Sequence, residues 1–208
     1  MINFIFWNYM KVLSIIGHPD LKNSRLSAEF VRQLPQFGVT ARLLEHQHVN
    51  YIFDVEEEQN ELIDYDRIIF IFPMFWYSMP ALMKKWIDDI FLPGFAYARN
   101  GNKLSNKEIQ VVTTVGAPKE GYRAGGFNNY TIDELLKPIQ QTVNYVKAKY
   151  LPPIVIYESV FLSEDTIQKV ISDVCCKISN EQDSPDLLYE KLLLKAESEK
   201  INLINDIN

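Results

Sequence analysis

The sequence predicts an α/β fold in which helices cover both faces of a mostly parallel sheet, and three observations predict it. Short β-branched and apolar runs alternate with segments whose apolar residues have helical spacing. One run, RIIFIF at 67–72, is apolar on both faces, as a strand buried between two helical layers is. The chain has 208 residues, 47% of them hydrophobic, which suits one sizeable core.

The first half of the chain predicts three strands, each followed by a helix. Ser24 is a candidate N-cap for the first helix, which Pro35 and Gly38 end, and Pro80 suits position N1 of the third helix. In chain order these elements are a strand at 11–17, a helix at 24–34, a strand at 40–45, a helix at 56–63, a strand at 67–72 and a helix at 80–91.

The second half predicts two further strands, two helices and a helical extension. A loop or hairpin at 93–107 leads to the fourth strand, and the polar loop at 116–130 carries four glycines, so we expect it to be bendable rather than packed. Thr131 and Glu134 form a capping box. The predicted elements are a strand at 109–115, a helix from 131 to about 149, a strand at 152–157, a helix from Ser163 to about 179 and a polar helical extension from 185.

These elements predict one domain over residues 10–180, with an N-terminal extension at 1–9 and a C-terminal helical extension at 181–208. The segment 1–9 lacks the cationic start and cleavage site of a signal peptide, and Met10 is an alternative start of the protein. No apolar run is as long as a membrane helix, so we expect no insertion into a membrane.

Charge and motifs argue against several classes of function. The formal net charge of −6 argues against nucleic-acid binding, because phosphate contacts need clustered Lys and Arg. The chain has neither a G-x-G-x-x-G nor a Walker A motif. Its three histidines lack ligand spacing with carboxylates or cysteines, so we expect no metal site, and 46–48 reads as a solvated strand end.

The two cysteines, Cys175 and Cys176, are adjacent and lie in a predicted helix. They cannot form a disulfide framework, which favours a reducing, cytoplasmic location. Adjacent helical residues point to different faces, so we expect one thiol in the core and the other partly exposed.

Three unusual loops follow the first, third and fourth predicted strands. In a parallel sheet, ligands bind beyond the carboxyl ends of the strands, at the point where the strand order reverses. We therefore expect the first loop (17–27), the second loop (73–80) and the third loop (113–130) to meet at one rim of the sheet.

The first loop ends at a helix N-terminus, where free backbone N–H groups and the helix dipole favour a phosphate group. His18 offers a ring N–H, Ser24 and Ser27 offer hydroxyls, and Arg25 offers a positive charge. A plain capped helix with a solvated loop is the alternative.

The second loop is an aromatic run between prolines, directly after a core strand. The flat side chains of Phe75, Trp76 and Tyr77 suit a flat heterocycle by stacking, and backbone amides in the restricted turn suit hydrogen bonds to a ring edge. In the alternative, Phe75 and Trp76 are buried against the next helix.

The third loop starts with Thr113, Thr114, Val115 and Gly116. Gly116 permits close approach of the backbone to a ligand, and the Tyr122 phenol can lie near a developing anion. An ordinary mobile loop is the alternative. A phosphate anchor, a flat platform and a glycine turn at one rim together describe a flavin mononucleotide site.

Several stretches resemble the flavodoxin-like NAD(P)H:quinone oxidoreductase family, from about residue 10 to about 178. The family includes general-stress and drug-activity-modulator reductases and the ancillary subunits of glutathione-gated potassium efflux systems. The resemblance implies a three-layer αβα sandwich with a five-stranded parallel sheet. The matching stretches are His18-Pro19 with Ser24, PMFWYSMPALMKKWIDDIF at 73–91, GFAY at 94–97, TTVG at 113–116, GGFNNYT at 125–131, LLKPIQQT at 135–142 and YLPP at 150–153.

The resemblance also implies FMN, with FAD as an alternative, bound at the interface of a homodimer, where NAD(P)H and a quinone use one site in turn. Apolar residues near 91–97 support the dimer. Tyr122 is the implied catalytic residue. The implied cofactor contacts are His18, Ser24, Arg25, Leu26 and Ser27 to the phosphate, Pro73, Met74, Phe75, Trp76 and Tyr77 to the isoalloxazine, and Thr113, Thr114, Val115 and Gly116 to its pyrimidine edge.

Two positions depart from the family pattern. Val115 replaces the first glycine of T-T-G-G, which we expect to loosen or reshape the contact with the ring. Some members carry a His in the third loop that stabilises the reduced flavin, whereas Phe127 and Asn128 occupy that region here. Tyr122 then acts without an imidazole partner.

The sequence thus favours a flavin-dependent oxidoreductase that passes a hydride from NAD(P)H through FMN to a quinone, nitro or azo compound. The protein then needs to orient the rings and stabilise negative charge, which explains why no catalytic dyad is evident. The alternatives are a regulatory partner of a potassium efflux transporter and a flavodoxin-type electron carrier.

Overall fold

The computed structural model describes residues 10–199, which form a five-stranded parallel sheet between two layers of helices. The predicted three-layer α/β architecture is confirmed, and the predicted extension at 1–9 lies outside the described residues. The strands are β1 Val12–Ile16, β2 Val39–Leu43, β3 His48–Val49, β4 Ile52–Phe53, β5 Arg67–Pro73, β6 Glu108–Thr114 and β7 Lys149–Ile156. The helices are α1 Arg25–Gln33, α2 Val55–Ile63, α3 Ala81–Ile90, α4 Ile132–Leu135, α5 Lys137–Tyr145, α6 Glu164–Ser179 and α7 Pro185–Ser198.

The strand order of the sheet is β2-β1-β5-β6-β7, and every neighbouring pair is parallel. Alternate side chains of β1 enter two separate cores. Leu13 and Ile15 pack with residues of α2 to α5, whereas Val12 and Ile16 pack with α1 and α6. Helices therefore cover both faces of the sheet, which leaves its rims and its two edge strands for other contacts.

The structure corrects the predicted boundaries around β7. The helix predicted from Thr131 to about 149 is two helices, and the second of them ends at Tyr145. β7 begins at Lys149, before the predicted start at 152. It accommodates Pro152 and Pro153 because it is an edge strand that pairs with β6 alone, and because its register with β6 shifts at these residues.

A short hairpin, β3–β4, is absent from the sequence prediction. Its turn residues Asn50 and Tyr51 have φ values of 52° and 63°, and positive φ at both central residues is typical of two-residue hairpin turns. The segment predicted as a strand end is a 3₁₀ turn at Leu44–His46 followed by β3. Asn50 suits such a turn, but Tyr51 stands where glycine is usual, which conceals the signal.

Single residues also test the prediction. Pro80 is the N-cap of α3 rather than its N1 residue. Cys175 is buried and Cys176 is exposed, which confirms the expected difference between the two thiols.

Within residues 10–199, no helix combines the length and apolar character that crossing a membrane needs.

A buried ion pair fixes α3 beside the sheet. Glu58 of α2 is 1% exposed and accepts a hydrogen bond from Trp86 Nε1 of α3 at 2.8 Å. The same carboxylate accepts from Arg42 Nε of β2 at 2.9 Å and from its Nη2 at 2.7 Å. Because α3 follows the second loop, this network also fixes the place where that loop ends.

Replacing Glu58 with Ala should lower the free energy of unfolding by about 3–5 kcal/mol, because the Trp86 N–H loses its acceptor and Arg42 loses its buried partner. Equilibrium urea unfolding measures the change. Glu57→Ala is the matched control: Glu57 also accepts from Arg42, but its side chain is 63% exposed, so its loss should cost less than about 1 kcal/mol. Equal losses in the two variants would contradict the role given to Glu58.

Candidate functional site

The three loops singled out in the sequence meet at the carboxyl ends of β1, β5 and β6. The strand order reverses at β1, which has β2 on one side and β5 on the other. The backbone N–H of Gly17 in the first loop donates to the Ile71 carbonyl of β5 at 2.9 Å. The Met74 N–H in the second loop donates to the Thr114 carbonyl in the third at 3.0 Å. The predicted meeting of the loops is therefore observed.

Side chains also connect the loops. The rings of His18 in the first loop and Phe75 in the second have centroids 6.3 Å apart and meet edge to face. The Tyr77 hydroxyl in the second loop donates to Asn128 Oδ1 in the third at 3.2 Å. A ligand at this rim would therefore meet all three loops.

Gly17 allows α3 to pack closely against the end of β1. A Cβ atom at this position would lie 2.7 Å from Met83 Cε and 2.9 Å from Met83 Cβ. The first loop therefore starts directly beside the helix that follows the second loop. The sequence does not reveal this role, because the close approach joins residues far apart in the chain.

His18 presents a neutral ring to the rim. Its Nδ1 accepts a hydrogen bond from the Asp20 backbone N–H at 3.0 Å, so the ring proton lies on Nε2. Burial lowers the pKa of His18, against the opposing effects of the Asp20 and Glu45 carboxylates. The imidazole therefore offers one N–H donor at neutral pH.

The N-terminus of α1 follows the first loop. Ser24 is its N-cap, as predicted, and Ser24 Oγ accepts from the Ser27 backbone N–H at 3.0 Å. The N–H groups of Arg25 and Leu26 lie in the first turn, where a helix provides no backbone acceptor. These two N–H groups and the His18 N–H are the donors that suit an anion here.

The Arg25 guanidinium points to α6 rather than along the first loop. Its Nε donates to Glu164 Oε1 at 2.8 Å, and its Nη2 donates to the Leu162 carbonyl at 2.7 Å. The side chains of Leu26 and Ser27 are buried. The Arg25 charge, which the sequence predicts to be available to a phosphate, is thus already paired within the protein.

The second loop forms a tight aromatic turn at residues 75–78. Phe75 and Ser78 exchange two backbone hydrogen bonds of 2.9 and 3.1 Å, and Trp76 and Tyr77 between them have φ values of 47° and 64°. The Trp76 side chain is 93% exposed and Phe75 is 44% exposed, so the alternative of burial against the next helix is excluded. Positive φ at both central residues is typical of a two-residue hairpin turn, but bulky residues there are strained, because glycine and asparagine are the usual residues.

The segment 113–116 divides between the core and the rim. Thr113 and Val115 are buried, and the Val115 N–H donates to the Ile156 carbonyl at 2.9 Å. Thr114 is half-buried and its carbonyl is paired with the Met74 N–H, whereas Gly116 is exposed at the rim. The valine that replaces the family's glycine therefore directs its side chain into the core.

The third loop, which the sequence predicts to be bendable, is closely packed at Gly121, while most of its residues from 123 to 130 are exposed. Gly121 is buried, and a Cβ atom there would lie 2.7 Å from the Phe127 ring. The Asn128 N–H donates to the Gly121 carbonyl at 3.0 Å. Gly121 and Gly126 thus allow close packing within this loop, which composition alone does not reveal.

Tyr122 lies in the third loop and lines a cavity of about 630 Å³. Burial, and to a smaller degree Tyr77, raises the pKa of Tyr122, so its hydroxyl keeps its proton at neutral pH. The ring centroids of Tyr122 and Tyr157 are 6.1 Å apart. The cavity is lined by Lys119, Glu120, Tyr122, Arg123, Thr131, Ile132, Asp133, Pro153, Val155 and Tyr157.

These residues fit a phosphorylated planar ring better than a metal ion. Within residues 10–199, no group of three or more His, Cys, Asp or Glu is placed to hold a metal. The Asn128 Nδ2 atom is buried at the junction of the second and third loops without a hydrogen-bond partner among the described residues. A ring edge that carries hydrogen-bond acceptors would provide that partner.

The Flavodoxin_2 family model, described as a flavodoxin-like fold, matches residues 10–177. The chain belongs to this family. The Bacillus subtilis protein named as the NAD(P)H oxidoreductase YrkL is 41% identical over 160 residues, which cover 76% of this chain and 92% of that protein. The potassium-efflux ancillary protein KefG of Cronobacter sakazakii is 36% identical over 150 residues, or 71% of this chain and 80% of KefG.

Solved structures agree with this membership of the Flavodoxin_2 family. General stress protein 14 of Treponema denticola, in complex with FMN, has a TM-score of 0.76 at 27% identity and covers 81% of this chain and 97% of its own. An NADPH-quinone reductase from P. pentosaceus has a TM-score of 0.75 at 31% identity, covering 84% and 100%. The resemblance to NAD(P)H:quinone oxidoreductases is confirmed.

One similar structure carries a different description. A chain described as a thermophilic tryptophan halogenase from Streptomycin violaceusniger has a TM-score of 0.78 at 38% identity, covering 83% of this chain and 100% of its own. Its described activity differs from those of the other relatives. The likeness therefore supports the Flavodoxin_2 fold and adds nothing to the choice of reaction.

In this Flavodoxin_2 member, Gly17→Ala should lower the free energy of unfolding by about 1–3 kcal/mol, because the added Cβ forces Met83 and α3 away from β1. The measurement is urea unfolding without added ligand. Gly116→Ala is the matched control, since a Cβ there would meet only Val160 at ordinary distances of 3.8 and 3.9 Å. Unchanged stability of Gly17→Ala would contradict the close packing described here.

Proposed function

We propose that this chain is an FMN-dependent NAD(P)H oxidoreductase that reduces quinones, with nitro and azo compounds as similar acceptors. One observation carries the proposal. The α1 N-terminus with His18, the exposed aromatic turn and the backbone at Thr114 and Gly116 all lie at one rim. The helix N-terminus suits a phosphate group, the aromatic turn suits a flat ring, and the backbone suits a polar ring edge.

The first loop would hold the phosphate. The donors are the Arg25 and Leu26 backbone N–H groups and His18 Nε2–H, beside the positive end of the α1 dipole. Ser24 contributes as the N-cap of α1. Its Oγ accepts from the Ser27 N–H, so the N–H groups at the start of α1 stay available to the loop. The guanidinium of Arg25 would stay paired with Glu164.

The aromatic turn would hold the ring. Trp76 and Tyr77 present flat side chains, and the turn keeps its backbone N–H groups in a restricted geometry. The backbone of Met74, Thr114 and Gly116 would border the ring edge. Bound FMN supplies the redox chemistry, in which a hydride from NAD(P)H is taken up and electrons pass to the acceptor.

Tyr122 is the candidate catalytic residue of this proposal. Its protonated hydroxyl is a hydrogen-bond donor for negative charge that develops nearby, and the adjoining cavity of about 630 Å³ offers room for a small acceptor. FMN is preferred to FAD because the similar Treponema protein is described in complex with FMN. We propose a cytoplasmic location with the reducing conditions inferred from the two unpaired thiols.

A homodimer is part of the proposal through the family resemblance. Of the apolar residues near 91–97 that support it, Phe91, Phe95 and Ala96 are buried within the protomer, whereas Leu92 is 39% exposed. Exposed Val49, Tyr51 and Ile52 on the β3–β4 hairpin are better candidates for an interface. Light scattering of the purified protein measures the oligomeric state.

A second candidate function is regulation of a potassium efflux transporter, which the similarity to KefG favours. In that case the protein would co-purify with a membrane transporter. A free and fully active protein would argue for the oxidoreductase alone. An electron carrier is less well supported, because the cavity beside Tyr122 offers space for a substrate.

The absorbance spectrum of the purified protein with FMN tests the proposed function. The flavin bands should bleach anaerobically with NADPH or NADH and return when a quinone is added. A protein that binds no FMN, or whose bound FMN is reduced by neither coenzyme, would contradict the proposal.

Replacing Trp76 with Ala should raise the Kd for FMN by about 10-fold, because the loss of ring stacking costs about 1.4 kcal/mol. Stability without flavin should not change, since the side chain is 93% exposed. Fluorescence titration of FMN measures the affinity. The control Tyr189→Ala removes an exposed aromatic side chain on α7 and should bind FMN like the unchanged protein; if Trp76→Ala does the same, the stacking role is wrong.

A further inference from the structure

The tip of the aromatic turn is held to the third loop by one side-chain hydrogen bond. The turn is closed at its base by the paired backbone bonds of Phe75 and Ser78. Beyond the base, Tyr77 Oη donates to Asn128 Oδ1 at 3.2 Å. Because Trp76 and Tyr77 are both at positive φ, a contact at the tip helps to keep the turn in this strained conformation.

Asn128 is itself firmly placed. Its backbone N–H donates to the Gly121 carbonyl at 3.0 Å, and its carbonyl accepts from the Tyr130 N–H at 2.8 Å. The neighbouring Phe127 ring covers Gly121 so closely that a Cβ atom there would lie 2.7 Å from it. The carboxamide of Asn128 therefore projects from a residue whose backbone is hydrogen-bonded on both sides.

The carboxamide has one hydrogen-bonding group to spare. Its Nδ2 is buried and has no partner among the described residues. Turning the carboxamide over would give Oδ1 that position, so one polar atom stays unpaired in either orientation. Leaving a buried polar group unpaired is unfavourable, and a ligand acceptor at this junction would recover that loss.

We propose that Asn128 is a positioning residue for the cofactor ring, an inference that rests on the proposed function. Its Oδ1 holds Tyr77 and hence the aromatic turn, and its unused N–H is reserved for an acceptor atom on the ring that the turn supports. A carboxamide does not titrate, so this donor keeps the same charge and hydrogen-bonding capacity at every pH at which the protein is folded.

The change Asn128→Asp separates the two parts of this role. Aspartate has the same shape and still accepts from Tyr77, but it lacks the N–H donor and adds a negative charge. We expect the Kd for FMN to rise at least 10-fold and the midpoint potential of bound FMN to become more negative. The matched control is Asn129→Asp, which adds the same charge at the adjacent exposed position and should leave both values unchanged.

The change Tyr77→Phe tests the hydrogen bond itself. It removes only the hydroxyl that Asn128 accepts from, so the turn is held less firmly and the Kd for FMN should rise about 3- to 10-fold. Its control is Tyr130→Phe, a nearby tyrosine whose side chain is 58% exposed. Circular dichroism and urea unfolding without flavin show whether each variant is folded, and Tyr77→Phe keeps the inference testable should Asn128→Asp not fold.

The outcomes distinguish this inference from the proposed function. If the unchanged protein binds no FMN, both fail. If it binds FMN and Asn128→Asp has the Kd and the midpoint potential of Asn129→Asp, only the positioning role of Asn128 is overturned. The same holds if folded Tyr77→Phe binds FMN as tightly as Tyr130→Phe does.

Discussion

Parallel pairing of β1 with strands on both of its sides is the constraint on which the site depends. β1 lies between β2 on one side and β5 on the other, so the chain connections on its two sides run away from each other. The divergence opens a crevice at the carboxyl ends of the strands. The first, second and third loops are brought to this crevice by the order of the strands, although 113 lies far from 17 in the chain.

A rigid scaffold carries a strained turn. Positive φ at Trp76 and Tyr77 costs about 1–3 kcal/mol per residue, and exposure of the indole gives up the free energy of its burial. The roots of the turn are fixed, at one end by the Met74–Thr114 backbone bond and at the other by α3, which Glu58 holds through Trp86. A flat ligand would recover part of the cost by covering Trp76.

The sequence predicts the features that depend on residues close together in the chain. The cap at Ser24, the capping box at Thr131 and the buried strand RIIFIF follow from spacing over a few residues, and the order of strands and helices follows from them. Contacts between distant residues escape such rules. The Arg25 charge, predicted for a phosphate, is paired with Glu164, and the close packing at Gly121 depends on the Phe127 ring that covers it. Asn128 and Tyr77 lie 51 positions apart in the chain, so only the structure reveals the hydrogen bond between them.

A crystal structure of the protein with FMN tests directly whether the three loops form one flavin site. We expect the phosphate at the N–H groups that open α1, close to His18, and the ring against Trp76 with its edge toward Thr114 and Asn128. A ring that binds away from the aromatic turn, or a phosphate held at another part of the protein, would contradict the claim that the three loops form one flavin site.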